Sequence, residues 1–410
     1  MPPPCYASAH ETNRTGSTAL KRFPKAFYTM SLANLCFFLG NSFFILFPVY
    51  LKGMGASESY IGAVNNIDKV LVIAASVTIG ALIHRWDRVL LLRMGYGLLI
   101  AVYALYLGIA SLSWFVPAVR VLHGMGFSLA MILGTTVIFE IVPGDRAAEA
   151  IGLYGITGAL TNAVSPAIGE FLLGNGVPFK WLFVIAAALA AVSLALAFAM
   201  PRKTVMRDNG DDMARGILAL YRDPDYRAYS LVAFVFGGGF GVLLTFLPNF
   251  VLTKPGLSYS FFFVVYIAVL VVVRFTFIRV VQAWDRAPIV VFMLGAAACM
   301  NACFNLPMGM PLLAGTGLLY GLAHGFLYPV LNAHLVGIVQ PGDRGKSNAL
   351  FTATFNGGMM LFAFAMGFLI DATGSYVPAF NVCAVSFAAA ALVLALHGRS
   401  QKNALPAQGA

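Results

Sequence analysis

Three charged residues lie deep inside long apolar runs of this sequence, where a charge is costly. Asp68 and Lys69 fall in the second apolar run, and Arg120 falls in the fourth. A charged side chain near a bilayer centre costs about 3 kcal/mol on insertion scales, so it faces a cavity or a partner. Asn65 shares a helix face with Asp68 and with Lys69. These four residues predict a polar cluster that binds an ion or a solute. The alternative is a purely structural ion pair that pins helices together.

The chemistry that such a cluster offers is proton exchange linked to solute binding. A carboxyl group binds a proton more tightly when it is desolvated and less tightly when a cation approaches. Asp68 is therefore the preferred proton carrier, and protonation and substrate would compete for the same basic groups. Arg274, roughly 10 Å from the cytoplasmic end of the eighth run, is a further cation, although it could snorkel to the interface. Because the intramembrane cations outnumber the central carboxylate, an anionic or zwitterionic substrate is preferred over a cationic one.

The elements that position these residues are membrane spans. Hydrophobic residues make up 60% of the 410 residues and charged residues only 10%, which excludes an ordinary soluble domain. A span needs about 20 apolar residues. Twelve runs meet that length, at roughly 27–51, 60–83, 89–111, 114–141, 149–173, 178–200, 228–252, 258–281, 288–307, 310–339, 346–370 and 375–397.

The sequence also repeats itself. Trp86-Asp87-Arg88 recurs as Trp284-Asp285-Arg286, and the Pro-Gly-Asp-Arg at 143–146 recurs at 341–344, both displaced by 198 residues. A tandem membrane repeat is how many secondary transporters are built. The predicted fold is an all-α membrane protein with twelve transmembrane helices in two six-helix pseudo-symmetric bundles. The predicted parts are an N-tail at 1–26, bundles at 27–200 and 228–397, a cytoplasmic linker at 201–227 and a C-tail at 398–410.

Charge placement predicts the orientation. The net charge is +10, but Lys and Arg are concentrated in alternate loops, and the opposite loops hold only Lys52, Lys180 and Lys254. This is the positive-inside pattern and not a nucleic-acid patch. Both termini are therefore expected to be cytoplasmic. The N-terminal segment is polar and resembles no signal peptide, so we expect a multi-pass protein of a bacterial cytoplasmic membrane.

Three motifs resemble signatures of the major facilitator superfamily, over about 25–397. The first, G-x-L-x-D-R-x-G-R after span 2, is matched by Gly80, Leu82, Arg85 and Arg88. His84 replaces its Asp and Asp87 replaces its second Gly, and the second half has the same departures at Gln282 and Asp285. The second, R-x-x-Q-G-x-G in span 4, is matched by Arg120, Gly124 and Gly126, with His123 in place of Gln. The third, in span 5, is matched in part by Gly152, Pro166 and Gly169.

The resemblance implies roles for these residues. The first motif implies a cytoplasmic latch, in which Asp87 and Asp285 replace the usual carboxylate; the latch residues would be Gly80, Arg85, Asp87, Arg88, Glu140, Asp285 and Arg286. The span-5 motif is associated with antiporters and favours export over uptake. Helices 4 and 10 line the cavity in this fold, so His123, His324 and His334 are candidate proton relays, with ordinary interhelical hydrogen bonding as the alternative. Further candidate cavity groups are Asn34, Asn41, Tyr328, Asn332, Asn348 and Asn356.

Together these observations predict an alternating-access secondary transporter, a proton-coupled exporter of a small anionic, zwitterionic or amphipathic organic solute. A proton- or ion-coupled importer of the same fold is the first alternative. A lipid-handling membrane protein or enzyme is disfavoured because no nucleophile–base pair or phosphate-binding loop is present, and a non-transporting sensor stays open. No cofactor or metal site is implied, since no histidine or second cysteine pair accompanies Cys299 and Cys303. A monomer is expected, with protons, a small solute and lipid as its partners.

Overall fold

The computed structural model describes residues 23–83, 86–143, 146–200, 217–276 and 286–404, and these ranges contain helices and no strand. The α-helices are α1 Lys25–Ser42, α2 Phe47–Gly53, α3 Glu58–Asn66, α4 Asp68–Ile83, α5 Arg88–Leu107, α6 Phe115–Ile141, α7 Ala147–Gly174, α8 Lys180–Phe198, α9 Pro224–Leu252, α10 Tyr259–Thr276, α11 Arg286–Ala302, α12 Met310–Gly337, α13 Arg344–Thr373 and α14 Val377–Ala404. Short 3-10 helices lie at Phe43–Leu46, Ile217–Arg222, Cys303–Asn305 and Pro341–Asp343.

Ten helical stretches in the described ranges are long and apolar enough to cross a membrane, which makes this an integral, multi-pass membrane protein. Two of the twelve predicted runs are not among the ten. The second run is divided at Ile67 into α3 and α4, and neither piece reaches 18 residues. The fifth run is one helix, α7, but polar residues such as Asn162 and Glu170 lower its hydropathy.

The first two predicted spans differ from continuous helices. The 3-10 helix Phe43–Leu46 separates α1 from α2, and the residue Ile67 separates α3 from α4. The sequence predicted that Asn65 and Lys69 share one face of a continuous helix, but the break puts them on different helices. A broken membrane helix leaves backbone carbonyls without intrahelical partners, and they must be satisfied by protein or water.

Helix neighbours are set by close packing. In the first part of the chain α1 packs on α7 and α8, α5 on α6 and α8, and α4 on α6. In the second part α9 packs on α13 and α14, α10 on α12, and α11 on α12 and α14. Contacts between the two parts join α3 and α4 to α13, α7 to α10, and α2 and α3 to α9.

Glycines bring α9 and α13 into backbone contact. A Cβ added to Gly237 would lie 2.1 Å from the Phe355 carbonyl oxygen, and one added to Gly241 would lie 2.5 Å from that of Met359. The glycines at 237 and 241 thus form a site of close helix packing.

The connector between the two parts is described only from residue 217 onward. Its 3-10 helix Ile217–Arg222 lies in the predicted linker, and the Tyr221 hydroxyl lies 2.9 Å from the Thr354 hydroxyl of α13. Asp223 then caps α9 through a hydrogen bond that its carboxylate accepts from the Asp225 N–H, at 2.8 Å.

Candidate functional site

Arg120 fills the break between α3 and α4. Its Nε donates to the carbonyl oxygen of Val64 at 3.4 Å, and its Nη2 donates to that of Asn65. Both carbonyls belong to the last turn of α3, which the break at Ile67 leaves without the next helical N–H groups. The guanidinium group from α6 therefore replaces the missing intrahelical bonds and holds the break in place.

Asp68 begins α4 and completes the cluster. Its Oδ2 lies 2.8 Å from the Lys69 Nζ and 3.4 Å from the Arg120 Nη2. Asp68 is 6% exposed and Arg120 is 3% exposed, so water screens these charges little. Gly124, one turn after Arg120, permits the approach of the helices, because a Cβ there would lie 2.8 Å from the Asp68 Cα. The predicted cluster therefore forms, and its three charges sum to one positive charge.

His123 extends the cluster toward α1 and α5. Its Nδ1 lies 3.2 Å from the Arg120 Nη1 and 3.1 Å from the Tyr106 hydroxyl, and its Nε2 lies 2.9 Å from the Asn41 Oδ1. A guanidinium group only donates, so the hydrogen bond with Arg120 requires Nδ1 to accept. The proton then resides on Nε2, which donates to Asn41. In this arrangement His123 is a neutral imidazole, held as part of the network.

Aromatic rings surround this network. The Phe44 ring centroid lies 4.5 Å from that of His123, and the Tyr103 ring meets the same imidazole edge-on at 5.3 Å. The Arg120 Cζ lies 5.3 Å from the Phe47 centroid and 6.0 Å from that of Phe44. The interruption in α1–α2 thus places rings over the cation that fills the break in α3–α4, a favourable cation–π arrangement.

Asn34 lies apart from the cluster. Its Nδ2 donates to the Thr157 hydroxyl at 2.8 Å and to the Tyr154 carbonyl at 3.3 Å, so it ties α1 to α7. Asn41 does join the cluster, through His123.

The candidate residues of the second part are less connected. The Tyr266 hydroxyl lies 2.5 Å from the His324 Nδ1, and the Tyr328 ring lies one helical turn further along α12. Arg274 is half-buried, and within the described ranges its Nε has no hydrogen-bond partner. It lies beside α12, because its neighbour Val273 contacts Gly325.

Three other polar residues of this part form hydrogen bonds with each other or within their own helix. The Asn356 side chain donates to the Thr352 carbonyl of its own helix at 2.8 Å, and Asn332 donates to the Asn348 side chain at 3.0 Å. Asn332 and Asn356 are therefore not brought to His324 or Arg274 by any hydrogen bond among the described residues.

Thr245 is a polar contact that the sequence analysis missed. Its hydroxyl, fully buried on α9, accepts from the Asn65 side chain at 3.2 Å and from the Asn66 side chain at 2.9 Å. A lone threonine in an apolar run gives no signal in a sequence, so only the packing of α9 against α3 identifies it. It links the break in α3–α4 to the second part of the chain.

The latch motif forms a compact arrangement. Asp87 caps α5, accepting from the Val89 and Leu90 N–H groups at 2.8 and 3.1 Å. Arg88 forms an ion pair with Glu140 at the end of α6. Asp87 thus puts a carboxylate at a helix N-terminus, but the helix that it caps is α5, which follows it directly in the chain.

Other motif residues are placed as follows. The Arg286 Nη1 donates to the Ala333 carbonyl at 3.3 Å. Arg85, Asp285 and the surroundings of Gly80 lie outside the described residues. In α7, Pro166 lies inside the helix, Gly169 packs on Leu46 and Gly152 has open space around it.

Comparison with known proteins identifies the family. The family model of the Major Facilitator Superfamily matches residues 30–310 and 259–409. The chain belongs to this superfamily. It is therefore a membrane transporter and not an enzyme. A curated relative, the staphylopine export protein of Staphylococcus aureus (strain Mu50), is 21% identical over 368 residues, which cover 85% of this chain and 90% of the relative.

Solved structures share the fold. The nucleoside transporter NupG, in its D323A variant, superposes with a TM-score of 0.78 at 14% identity and covers 92% of this chain and 99% of its own. The human organic anion transporter MFSD10 (TETRAN) gives a TM-score of 0.65 at 17% identity, with 90% of this chain and all of its own covered. At these identities the similarity shows the fold alone.

Proposed function

We propose that this transporter exports a small zwitterionic or anionic solute in exchange for protons, by alternating access between two six-helix halves. One observation carries the proposal: the buried Asp68 and Arg120 and the half-buried Lys69 lie together at a helix break. The break is also linked to α9 through Asn65 and Thr245. Discontinuous helices at the interface of repeats are where secondary transporters bind their substrates.

The proposed halves contain twelve spans. The ten apolar stretches supply ten of them, and we assign α3–α4 and α7 as the other two because they occupy the second and fifth predicted runs. The first half comprises 27–200 and the second 228–397. The packing supports this division, since most helix pairs lie within one half and the pairs that cross involve α2, α3, α4 and α7 with α9, α10 and α13.

The positive-inside pattern supports an orientation with both termini in the cytoplasm. The starts of α3 and α10 then lie at the outer surface, where α3 contacts α13 and α7 contacts α10. Closure at that end corresponds to an inward-facing state. A bacterial cytoplasmic membrane and a monomer are part of the same proposal.

Proton exchange would take place at Asp68. Its Oδ2 faces two cations, whereas its Oδ1 has no hydrogen-bond partner within the described part of the chain. An ammonium group of a zwitterionic substrate would compete with a proton for this carboxylate, which is the condition for exchange. The anionic group of the same substrate would be attracted by Lys69 and by Arg274.

The direction of transport rests on the staphylopine export protein. That relative is an exporter by name, and it aligns with most of this chain. The partial span-5 motif supports the same direction.

A second function, proton-coupled uptake of an anion, is favoured by the sharing of one Asp68 oxygen by two cations. Protonation of Asp68 would release Lys69 to bind an anion. Proton and anion would then assist each other's binding, which drives transport of both in the same direction.

Proteoliposomes containing the purified protein separate the two functions. The probe is radiolabelled staphylopine, and its accumulation is measured under opposite pH gradients. Exchange predicts accumulation when the lumen is acid, whereas cotransport predicts accumulation when the outside is acid. If neither gradient drives accumulation, a thermal-shift screen of amino acids, organic acids and their amine derivatives selects the next probe.

The role of Asp68 is tested in the same vesicles. Asp68→Asn mimics the protonated carboxyl, so it should abolish gradient-driven accumulation and leave exchange of labelled for unlabelled probe. Asp223→Asn, a change of the same chemistry at a solvent-exposed cap, is the matched control and should behave as wild type. Gradient-driven accumulation by Asp68→Asn at the wild-type rate would exclude Asp68 as the proton carrier.

A further inference from the structure

Two carboxylates at the ends of α7 and α13 accept hydrogen bonds from the starts of other helices. The Asp371 Oδ1 accepts from the Glu58 N–H at 2.8 Å, and its Oδ2 accepts from the Ser59 N–H at 2.8 Å. The Glu170 Oε2 accepts from the Ser260 N–H at 2.9 Å and from the Ser258 hydroxyl at 2.7 Å. Asp371 of α13 thus caps α3, and Glu170 of α7 caps α10.

The two caps are copies of each other in sequence. Residues 57, 59 and 170 correspond to 258, 260 and 371, all displaced by 201 residues. Both capped helices begin Ser-x-Ser, and the two hydroxyls of each segment lie 3.0 and 2.9 Å apart. The internal repeat therefore reproduces a carboxylate, the two serines and the hydrogen bond from the N–H of the second serine to the carboxylate.

Each capped helix also has a local cap. The Ser57 hydroxyl accepts from the Tyr60 N–H at 3.2 Å, and the Ser258 hydroxyl accepts from the Phe261 N–H at 3.3 Å. The distant carboxylates occupy other donors of the same first turns, where negative charge is favoured. Removal of a carboxylate therefore leaves a helix that is still capped, so the contact can break and reform without unwinding α3 or α10.

The seam between α3 and α13 carries further contacts. A Cβ on Gly367 would lie 2.5 Å from the Glu58 carbonyl oxygen, and one on Gly62 would lie 2.3 Å from that of Ala363. The Tyr376 hydroxyl donates to the Glu58 carboxylate. Helices this close exclude water from the seam, which strengthens the capping bonds while it stays closed.

We propose that Asp371 and Glu170 are positioning residues of transport, which close the outer side by capping, in each case, a helix of the opposite half. The inference rests on the two halves and the orientation of the proposed function. In the cycle, both carboxylates leave the N-termini of α3 and α10 when the outer side opens. Removal of either charge therefore shifts the resting protein toward the outward-open state.

The test measures the outer opening directly. Spin labels at Ala110→Cys and Leu306→Cys, introduced after removal of the native cysteines, report the distance between outer loops of the two halves by double electron–electron resonance. Asp371→Asn and Glu170→Gln should each raise the outward-open population about 2- to 5-fold, and the double variant should exceed either one. Asp371→Glu, which keeps the charge, should lie nearer to wild type.

Asp223→Asn is the matched control, because Asp223 caps its own helix and should leave the distances unchanged. Monodispersity in gel filtration and a thermal midpoint near that of wild type confirm that the variants are folded. Distances unchanged in both single variants, or a shift in only one, would overturn the proposal. The distance measurement needs no substrate. If the variants shift the distance but the wild-type protein shows no transport in vesicles, the result would count against the proposed function and not against the caps.

Discussion

Arg120 offers a quantitative test of how the helix break is stabilised. Its guanidinium group bonds to the Val64 and Asn65 carbonyls, to His123 and to Asp68. Arg120→Ala leaves the two carbonyls unpaired, while Asp68 keeps its ion pair with Lys69. At about 1–3 kcal/mol for each unpaired acceptor, we expect a loss of about 2–6 kcal/mol in the free energy of unfolding.

Arg120→Lys separates geometry from charge. A lysine keeps the positive charge near Asp68, but a single ammonium group cannot reach both carbonyls and the imidazole as the planar guanidinium does. At least one buried acceptor is then left unpaired, which costs about 1–3 kcal/mol. The Asp68→Asn/Arg120→Ala double variant should lose less than the sum of the single variants, by about 1–3 kcal/mol, because each single variant already removes the Asp68–Arg120 ion pair.

The assay is unfolding of the detergent-solubilised protein by titration with a denaturing detergent, followed by tryptophan fluorescence. Arg274→Lys is the matched control, since Arg274 is half-buried in a helix and its Nε has no partner within the described ranges. We expect that control to lose less than about 1 kcal/mol. If Arg120→Lys is indistinguishable from Arg274→Lys, the bonds to the α3 carbonyls contribute nothing and the reasoning about the break is wrong.

Three further predictions follow from the fold. A cysteine introduced at Ser57 should react with a membrane-impermeant thiol reagent in intact cells, whereas one at Gly345 should not; labelling at Gly345 alone would reverse the orientation. Gly124→Ala should lose about 1–3 kcal/mol in detergent unfolding because its Cβ meets the Asp68 backbone, whereas Gly152→Ala, in open space, should lose none; equal losses would refute the close approach. Asp87→Ala should weaken the cap on α5 by about 0.5–2 kcal/mol and favour the inward-facing state, seen as greater accessibility of inner-side cysteines; unchanged accessibility would make Asp87 a local cap only.

The polar cluster could be predicted from sequence because burial of charge in a membrane is expensive at any position. Asp68, Lys69 and Arg120 stand out in apolar runs, and they do lie together. The apolar runs predicted most of the membrane helices for a similar reason, since hydropathy depends on local sequence alone. The family assignment is confirmed by the match over most of the chain.

The break in the second run could not be predicted in the same way, because no proline or glycine marks it. The sequence there is Asn65-Asn66-Ile67-Asp68, whose polar side chains compete weakly for the backbone. The break is stable because Arg120, more than fifty residues away, supplies donors to the freed carbonyls. A tertiary partner therefore decides the local structure.

The end carboxylates illustrate the same limit. Asp371 and Glu170 lie within four residues of the ends of their helices, and nothing in the neighbouring sequence identifies a distant partner. Only the packing of α13 on α3 and of α7 on α10 turns them into caps of distant helices. The serine pairs at 57, 59, 258 and 260 are the sequence signal for these caps, but they are displaced by 201 residues, which differs from the 198 of the loop motifs.

The hydrogen bonding of Arg120 bears on which cation binds substrate. Its donors are directed to two carbonyls, an imidazole and Asp68, and it is 3% exposed. A substrate anion that took this guanidinium would have to leave the α3 carbonyls unpaired, which costs about 1–3 kcal/mol for each. Lys69 has three N–H donors and bonds only to Asp68 in the described contacts, and its side chain is 16% exposed. The energetics therefore favour Lys69 over Arg120 as the cation for the proposed substrate, and they leave Arg120 to maintain the break that holds Lys69 in position.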